Sequence, residues 1–565
     1  MGKNKQKLEL TWIGKDDEYK DIEPRILVEV PEKSYGDNNT ENMLIHGDNL
    51  LALKALEQDY TGKIKCIYID PPYNTGNAFD FYDDNVEHSK WLSLMKSRLE
   101  ILRNLLAKDG FFCCQIDDSE GSYLKVLLDE IFGRNNYLTT FFVQVRYSDK
   151  TLKQDMDFHK QIEQIHIYRK EYGAKPNLNI KEKSFEKFNY YIKENSNGKQ
   201  IELGGKKVVL FQNNQYEIVK GEGSKDGLKE IWASGTILDG NSSGRFFRDY
   251  LNGRVENDGL GVLYKVYGIG DDKFPYRYFT GPKKEGATKG KYYQGVPIEQ
   301  LENEDFIQTV PIENFYDLAG AFGNCRLEGG VEFRSGKKPE ALLQIILKHF
   351  SNEGDLILDS FLGSASTIAT AHKMNRKWIG IELGDHCYTH CQTRLNAVID
   401  GIDITGISKA VNWQGGGGYK FYELAPSLLK KDEFDNWIIE PKYDAEMLAE
   451  AMAKHEGYKF LPDENNVYKQ GFSTEKDFIF TTTQFLSVDL LNNIHNKLEE
   501  DESLLICATH FEEGVGRAFS NITVKKIPQM LLNRCEFGKL EYNLNIVEEA
   551  QPEDFEEDEI LEDEE

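Results

Sequence analysis

No run of about 18 apolar residues occurs anywhere in the 565-residue chain, so a membrane-spanning helix is excluded. The opening MGKNKQKLEL has no apolar core of the kind an export signal carries, which points to a cytoplasmic protein. Eight cysteines are present but no CxxC pair, which speaks against a zinc knuckle or redox motif and reads as reduced thiols. No GxxxxGK[ST] phosphate loop is present, so ATP-driven movement is not encoded, and no convincing PD…ExK nuclease signature is found. Basic charge is also short: the formal net charge is −27, an awkward balance for a protein that meets nucleic acid. Twelve acidic and no basic residues lie between Glu548 and Glu565, which leaves −15 on the rest. That tail lacks the apolar surface needed to offset the entropy of ordering and is expected to be disordered.

What is present is an alternation of strand and helix patterns in two separate stretches. In the first, Met43–His46, Ile64–Ile69 and Phe111–Ile116 read as strands. Trp91, Leu94, Met95, Leu99, Leu102, Leu105 and Leu106 recur at helical spacing, and Tyr123–Phe132 reads as a further helix. In the second, helix Pro339–Phe350, strand Leu356–Asp359, helix Thr367–Met374, strand Lys377–Ile381 and helix His386–Asp400 follow one another. Neither stretch makes a whole sheet; together they predict one parallel sheet with helices on both faces. Between them, about 171–330, the texture changes to Lys, Gly, Asn and aromatics, which reads as an inserted domain.

The first chemical motif is Asp70-Pro71-Pro72-Tyr73 at the end of an apolar strand. Ligands of open α/β sheets bind beyond the carboxyl ends of strands. An exocyclic amino group on a nucleobase is a poor nucleophile because its lone pair is spread into the ring. Fixed acceptors can hold both N–H bonds and aim the lone pair at an electrophile. Asp70 offers a carboxylate, Pro71 a carbonyl steadied by its locked φ, and Tyr73 a flat face for a base out of the stack. The second motif, Asp359-Ser360-Phe361-Leu362-Gly363-Ser364-Ala365-Ser366, runs from a strand into a helix. Its small residues let a ligand approach a helix N-terminus. About 20 residues on, a strand ends at Glu382, the usual place for an acid that holds a ribose hydroxyl pair.

Taken together, the two motifs resemble those of the amino-group DNA methyltransferases. Asp70–Tyr73 matches the catalytic DPPY motif and Asp359–Ala365 the S-adenosylmethionine-binding DxFxGxG motif. The catalytic motif comes first, which is the order of the β class. The resemblance also covers Gly336–Glu340 and the Trp91–Leu106 helix, and Asp70–Gly76 read as DPPYNTG and Ile116–Glu120 narrow it to the modification (Mod) subunits of type III restriction-modification systems.

The resemblance implies a circularly permuted Rossmann-like α/β methyltransferase acting on adenine N6 in double-stranded DNA, with base flipping. It implies catalytic roles for Asp70, Pro71, Pro72 and Tyr73. Cofactor contacts are implied for Asp48, Asp70, Asp359, Phe361, Gly363, Ser364, Ser366 and Glu382, with Lys338 as a lesser candidate. The implied partners are a second copy of the chain and a helicase-nuclease (Res) subunit. A stand-alone DNA methyltransferase, an RNA adenine methyltransferase and a non-catalytic recognition module remain alternatives.

The expected layout is an N-terminal arm (1–40), a catalytic half (41–170), a target-recognition insertion (171–330), a cofactor half (331–425), a C-terminal α/β region (426–546) and the acidic tail (547–565). In the insertion, Arg245, Arg248, Arg277, Lys283, Lys284, Lys289, Lys291 and Tyr292 are candidate DNA contacts, since arginine reads guanine and lysine neutralises phosphate. His386, Cys387, His390 and Cys391 share a helix face that must pack on the sheet, so no metal site is assigned to them. One departure stands out: the family's second turn glycine is Ala365 here, which costs roughly 1 kcal/mol if the position needs positive φ.

Overall fold

The computed structural model describes residues 9–15, 21–23 and 25–537, apart from 75–77, 80–81, 84–87, 149–157, 182, 234–241, 288, 304–307, 334–335 and 533. The acidic tail, and Thr75 and Gly76 of the first motif, lie outside the described residues.

The chain divides into two compact units: residues 1–177 with 313–565, and residues 178–312. In the first, a mixed sheet is built from Met43–His46 (β1), Ile64–Ile69 (β2), Leu106–Ile116 (β3), Tyr137–Gln144 (β4), Ile162–Arg169 (β5), Phe315–Asp317 (β6), Leu356–Asp359 (β7), Lys377–Glu382 (β8) and Gly418–Leu424 (β9). From one edge the order is β9-β1-β8-β7-β2-β3-β5-β4-β6, and Leu27–Glu29 pairs outside β9. Strands β9 through β3 run parallel, while β5 is antiparallel to both β3 and β4. β2 and β7 are therefore neighbours in space although the whole second unit lies between them in sequence. Their apolar runs are nearly continuous because a parallel strand is covered on both faces.

The helices supply that cover. His88–Leu105 (α1) buries Trp91, Leu94, Met95, Leu99, Leu102 and Leu105, the spacing read from sequence. Leu106 instead opens β3, and Gly110, read as punctuation before a strand, lies inside it. A Cβ there would sit 2.9 Å from the Ile64 carbonyl, so the close approach of β2 needs glycine. Glu340–Phe350 (α2) and Ser366–Lys373 (α3) flank β7 in sequence, and Gln392–Ile399 (α4) follows β8. Residues 313–330, assigned by texture to the insertion, belong to the first unit because β6 pairs with β4. Further on, five strands between Lys459 and Lys526 form a separate sheet, with helices Ala445–Glu456 and Val488–His495.

The second unit is built on a six-stranded antiparallel sheet. It separates the basic and aromatic residues picked out from sequence. Phe246, Phe247 and Tyr292 are core, whereas Arg245, Arg248, Lys283, Lys284 and Lys289 are exposed. Arg277 is a correction: it is 4% exposed and its guanidinium pairs with buried Asp272 at 2.9 Å, so it braces this unit. Lys291 lies over the Trp232 ring and pairs with Glu230 at 2.6 Å.

Candidate active site

Asp70 directly follows β2, Asp359 ends β7 and Glu382 ends β8, so adjacent parallel strands bring three carboxylates to one edge of the sheet. One cavity there is lined by Asp70, Pro71, Pro72, Tyr73, Asp359, Phe361, Gly363, Ser364, Ser366 and Glu382. Every predicted site residue except Asp48 is among them. Asp48 is 3% exposed and caps the helix Asn49–Tyr60, its carboxylate accepting from the Leu50 and Leu51 amides at 2.9 and 3.1 Å. β1 does neighbour β8 as expected, but Asn49 is the residue of this segment that reaches the cavity. Its amide donates to the Ser360 carbonyl at 2.8 Å, and its oxygen accepts from the buried Arg98 guanidinium at 2.5 Å.

The DPPY segment is held from several directions. The Trp91 indole of α1 donates to the Pro72 carbonyl at 2.8 Å. Asn74, at φ 58°, donates to Glu120 at 2.7 Å, which ties the loop to the Ile116–Glu120 motif. The Tyr73 hydroxyl lies 2.8 Å from Asp70 Oδ1 and 2.8 Å from Glu163 Oε2. Lys338 Nζ lies 3.0 Å from Asp70 Oδ2, 3.5 Å from Glu163 Oε2 and 4.9 Å from the centre of the Tyr73 ring. Burial raises the Asp70 carboxyl above its ordinary value; the Lys338 charge opposes that rise and Glu163 adds to it. Asp359 is pushed up to about 7, chiefly by burial.

Glu163 was not found from sequence. It is the second residue of a strand whose later residues are core, so its pattern is that of any strand entering from solvent. Only the pairing of β5 with β3 brings it to Asp70. Lys338 was visible within Gly336–Glu340, though as a lesser candidate for the cofactor.

The turn after β7 is shaped for close approach. Gly363 has φ 55° and an added Cβ would meet nothing within 4 Å. Ala365 has φ 61° and ψ 23°, so the condition for strain at this departure from the family pattern is met. Glu382 accepts from the Gly363 amide at 2.7 Å and the Gly384 amide at 2.9 Å, fixing the turn to the end of β8. From below, the buried Arg394 guanidinium of α4 donates to the Ser364 carbonyl at 3.1 Å and the Ser366 hydroxyl at 2.7 Å. Arg394 pairs in turn with Glu340 at 2.7 Å, and Lys373 bridges Glu340 and Asp403 at 2.8 and 2.6 Å. All four side chains are at most 1% exposed.

The His386–Cys391 stretch serves this packing. Cys387 and Cys391 are buried, and His386 Nε2 lies 3.1 Å from Glu382. Among the described residues no group of His, Cys, Asp and Glu is arranged to hold a metal ion, and no helix is long and apolar enough to cross a membrane.

A family model described as DNA methylase, N6_N4_Mtase, matches residues 64–392, more than half of the chain and both walls of this cavity. The chain belongs to this DNA methylase family. Methylases of the family take their methyl group from S-adenosyl-L-methionine, and the residues present fit that cofactor. Three features make the fit: the open space over Gly363, the Glu382 carboxylate at the mouth of the turn, and a Ser360 hydroxyl that is buried without a hydrogen-bond partner.

The DNA methylase chain is 36% identical to the probable type III restriction-modification enzyme HindVI Mod subunit of Haemophilus influenzae over 68% of its own length and 54% of that protein's. It is 30% identical to the EcoPI Mod subunit of Escherichia phage P1, over 66% and 62%. The chain thus spans between half and two thirds of the length of these relatives. The solved PvuII DNA methyltransferase (cytosine-N4-specific) is 13% identical, covering 66% of this chain and 91% of that one, at a TM-score of 0.31, too low to bear on the fold.

Proposed function

We propose that this DNA methylase transfers a methyl group from S-adenosyl-L-methionine to the N6 amino group of adenine at specific sites in double-stranded DNA, as the modification subunit of a type III restriction-modification system. The observation that carries this reading is one cavity lined by both Asp70–Tyr73 and the Phe361–Ser366 turn. When bound, the cofactor would supply an electrophilic methyl carbon on a sulfonium, with the thioether as leaving group and the displaced amino proton passing to water. The chain's own part is to present the base. Asp70 and the Pro71 carbonyl accept the two amino hydrogens and turn the lone pair toward the turn after β7. The Tyr73 ring stacks on a base that has left the duplex. Glu382 holds the ribose, Phe361 lies beside the adenosine, and Gly363, Ser364 and Ser366 line the methionine end.

The chain order, with the catalytic strand before the cofactor strand, supports a circular permutation of the Rossmann-like fold. The unit 178–312, with Arg245, Arg248, Lys283, Lys284 and Lys289 exposed, is the inserted target reader in this reading. The resemblance to Mod subunits supports a homodimer and a Res partner.

Unmethylated genomic DNA is the test substrate, with cofactor labelled in its methyl group. The full chain is expected to incorporate label, recovered as N6-methyladenine in one sequence context on methylation-sensitive sequencing. Asp70→Ala is expected to incorporate none. Label retained by Asp70→Ala, or recovered on cytosine, would overturn the reading.

A further inference from the structure

Four side chains from separate parts of the fold converge beside the cavity: Asp70 after β2, Tyr73 in the loop beyond it, Glu163 on β5, and Lys338 ahead of α2. Two carboxylates share one ammonium, at 3.0 and 3.5 Å, and one phenol, at 2.8 Å each. Glu163 has further support. Gln115 Nε2 of β3 donates to it at 2.5 Å, and the buried Tyr68 hydroxyl of β2 donates to that amide's oxygen at 2.5 Å.

A carboxylate that is to accept an amino hydrogen from a base does so best when ionised, with a lone pair available. Burial works against the first condition at Asp70, and the Tyr73 hydroxyl occupies part of the second. Asp70 lines the cavity, largely buried, where the charged form is disfavoured, and its Oδ1 already accepts from Tyr73.

We infer that Lys338 and Glu163 are positioning residues for Asp70: Lys338 is the counter-ion that keeps its carboxylate ionised, and Glu163 is the second acceptor that keeps the Tyr73 hydroxyl bonded when Asp70 turns to the base. The inference rests on the role proposed for Asp70. No proton changes hands in it; one shared hydrogen bond becomes unshared.

Among the described residues, the titratable and charged groups that face Asp70 are few. Besides Lys338, Glu163 and Tyr73 they are Tyr68 of β2, Cys114 of β3 and Asp359 at the end of β7. Burial pushes both tyrosines and the thiol well above their ordinary values, so they stay neutral at physiological pH. Asp359 titrates near 7, so the shift between chains, and not the absolute position of a profile, is the quantity to read.

The test uses the full-length chain, methyl-labelled cofactor and unmethylated genomic DNA, with single-turnover rates followed across pH. Lys338→Met is expected to move the acid limb up by about one pH unit or more, the effect an opposite charge at this range exerts on a carboxyl. Lys338→Arg is expected to restore it, and Glu163→Gln to move it down. A readout without cofactor or DNA accompanies this. Lys338→Met should lower the unfolding midpoint clearly in the Asp70 chain and much less in an Asp70→Asn chain.

An acid limb unmoved in both Lys338→Met and Glu163→Gln, with equal midpoint losses in both backgrounds, overturns the inference and leaves the role of Asp70 standing if Asp70→Asn is inactive. Should Lys338→Met not fold, the direction of the Glu163→Gln shift decides. An Asp70→Asn chain as fast as wild type removes the proposed role of Asp70 and this inference with it.

Discussion

The Tyr73 hydroxyl donates to Asp70 at 2.8 Å, so the ring proposed to receive the base is anchored by the carboxylate proposed to hold it. Stacking needs the ring, not the hydroxyl. Tyr73→Phe frees Asp70 from one donor and leaves the face intact, so its single-turnover rate should stay within a few-fold of wild type. Tyr73→Ala should lose the stacking contribution, about 1–3 kcal/mol in the transition state. Equal losses in the two variants would assign the effect to the hydroxyl.

Glu382 uses both oxygens: Oε2 on the Gly363 amide at 2.7 Å and Oε1 on the Gly384 amide at 2.9 Å. An amide offers one oxygen and turns an NH2 toward the other donor. Glu382→Gln should therefore loosen the turn and weaken cofactor binding by about tenfold or more, in line with an unsatisfied buried donor costing about 1–3 kcal/mol. Calorimetry with S-adenosylmethionine checks this, and an unchanged affinity would take Glu382 out of the site.

Asp359 gives a pH-dependent prediction. Its folded value, about 7, lies above the ordinary 3.8 because it is buried. A carboxyl with a raised folded value contributes stability below the unfolded value, and that contribution is lost as pH climbs through the folded one. Asp359→Asn removes the cost of charging. The variant should gain little over wild type near pH 4 and up to a few kcal/mol near pH 8, at about 1.4 kcal/mol per unit. Thermal unfolding at the two pH values is the measurement; a constant difference would mean that Asp359 ionises freely.

Lys373 sits wholly buried between Glu340 and Asp403. Lys373→Met leaves carboxylates in the interior without their shared cation, which should cost about 3–5 kcal/mol. Lys96, paired with Glu100 on an accessible face of α1 at 3.2 Å, is the comparison. Its replacement by Met should cost less than about 1 kcal/mol. Similar midpoints for the two variants would contradict the account of the buried cluster.

Strand and helix positions around the cavity were legible because their determinants are local. The Trp91–Leu105 spacing, the small residues of 360–366 and the acids that close β7 and β8 each act within a few residues. Boundaries were less so: Gly110 reads as a break until β2 is seen to press against it. Asp48 was placed beside β8 correctly by topology, yet its carboxylate turns to its own helix, a choice between two adjacent acceptors that spacing does not encode. Arg277 and Arg245 look alike in a string of letters. Only the presence of Asp272 across a turn buries one and leaves the other in water. Glu163 and Lys338 owe their place to a strand pairing and a loop, both long-range.

The ion-paired set Glu340, Lys373, Arg394 and Asp403 also limits how the chain can be recombined. Each member neutralises another that lies on a different element, and Arg394 carries the set's influence to Ser364 and Ser366. A chimera joined between α2 and the segment that follows α4 would combine charges from one parent with vacancies from the other. Residues 340–407 therefore behave as a single inheritable block, and grafts that exchange the cofactor half should place their junctions outside it.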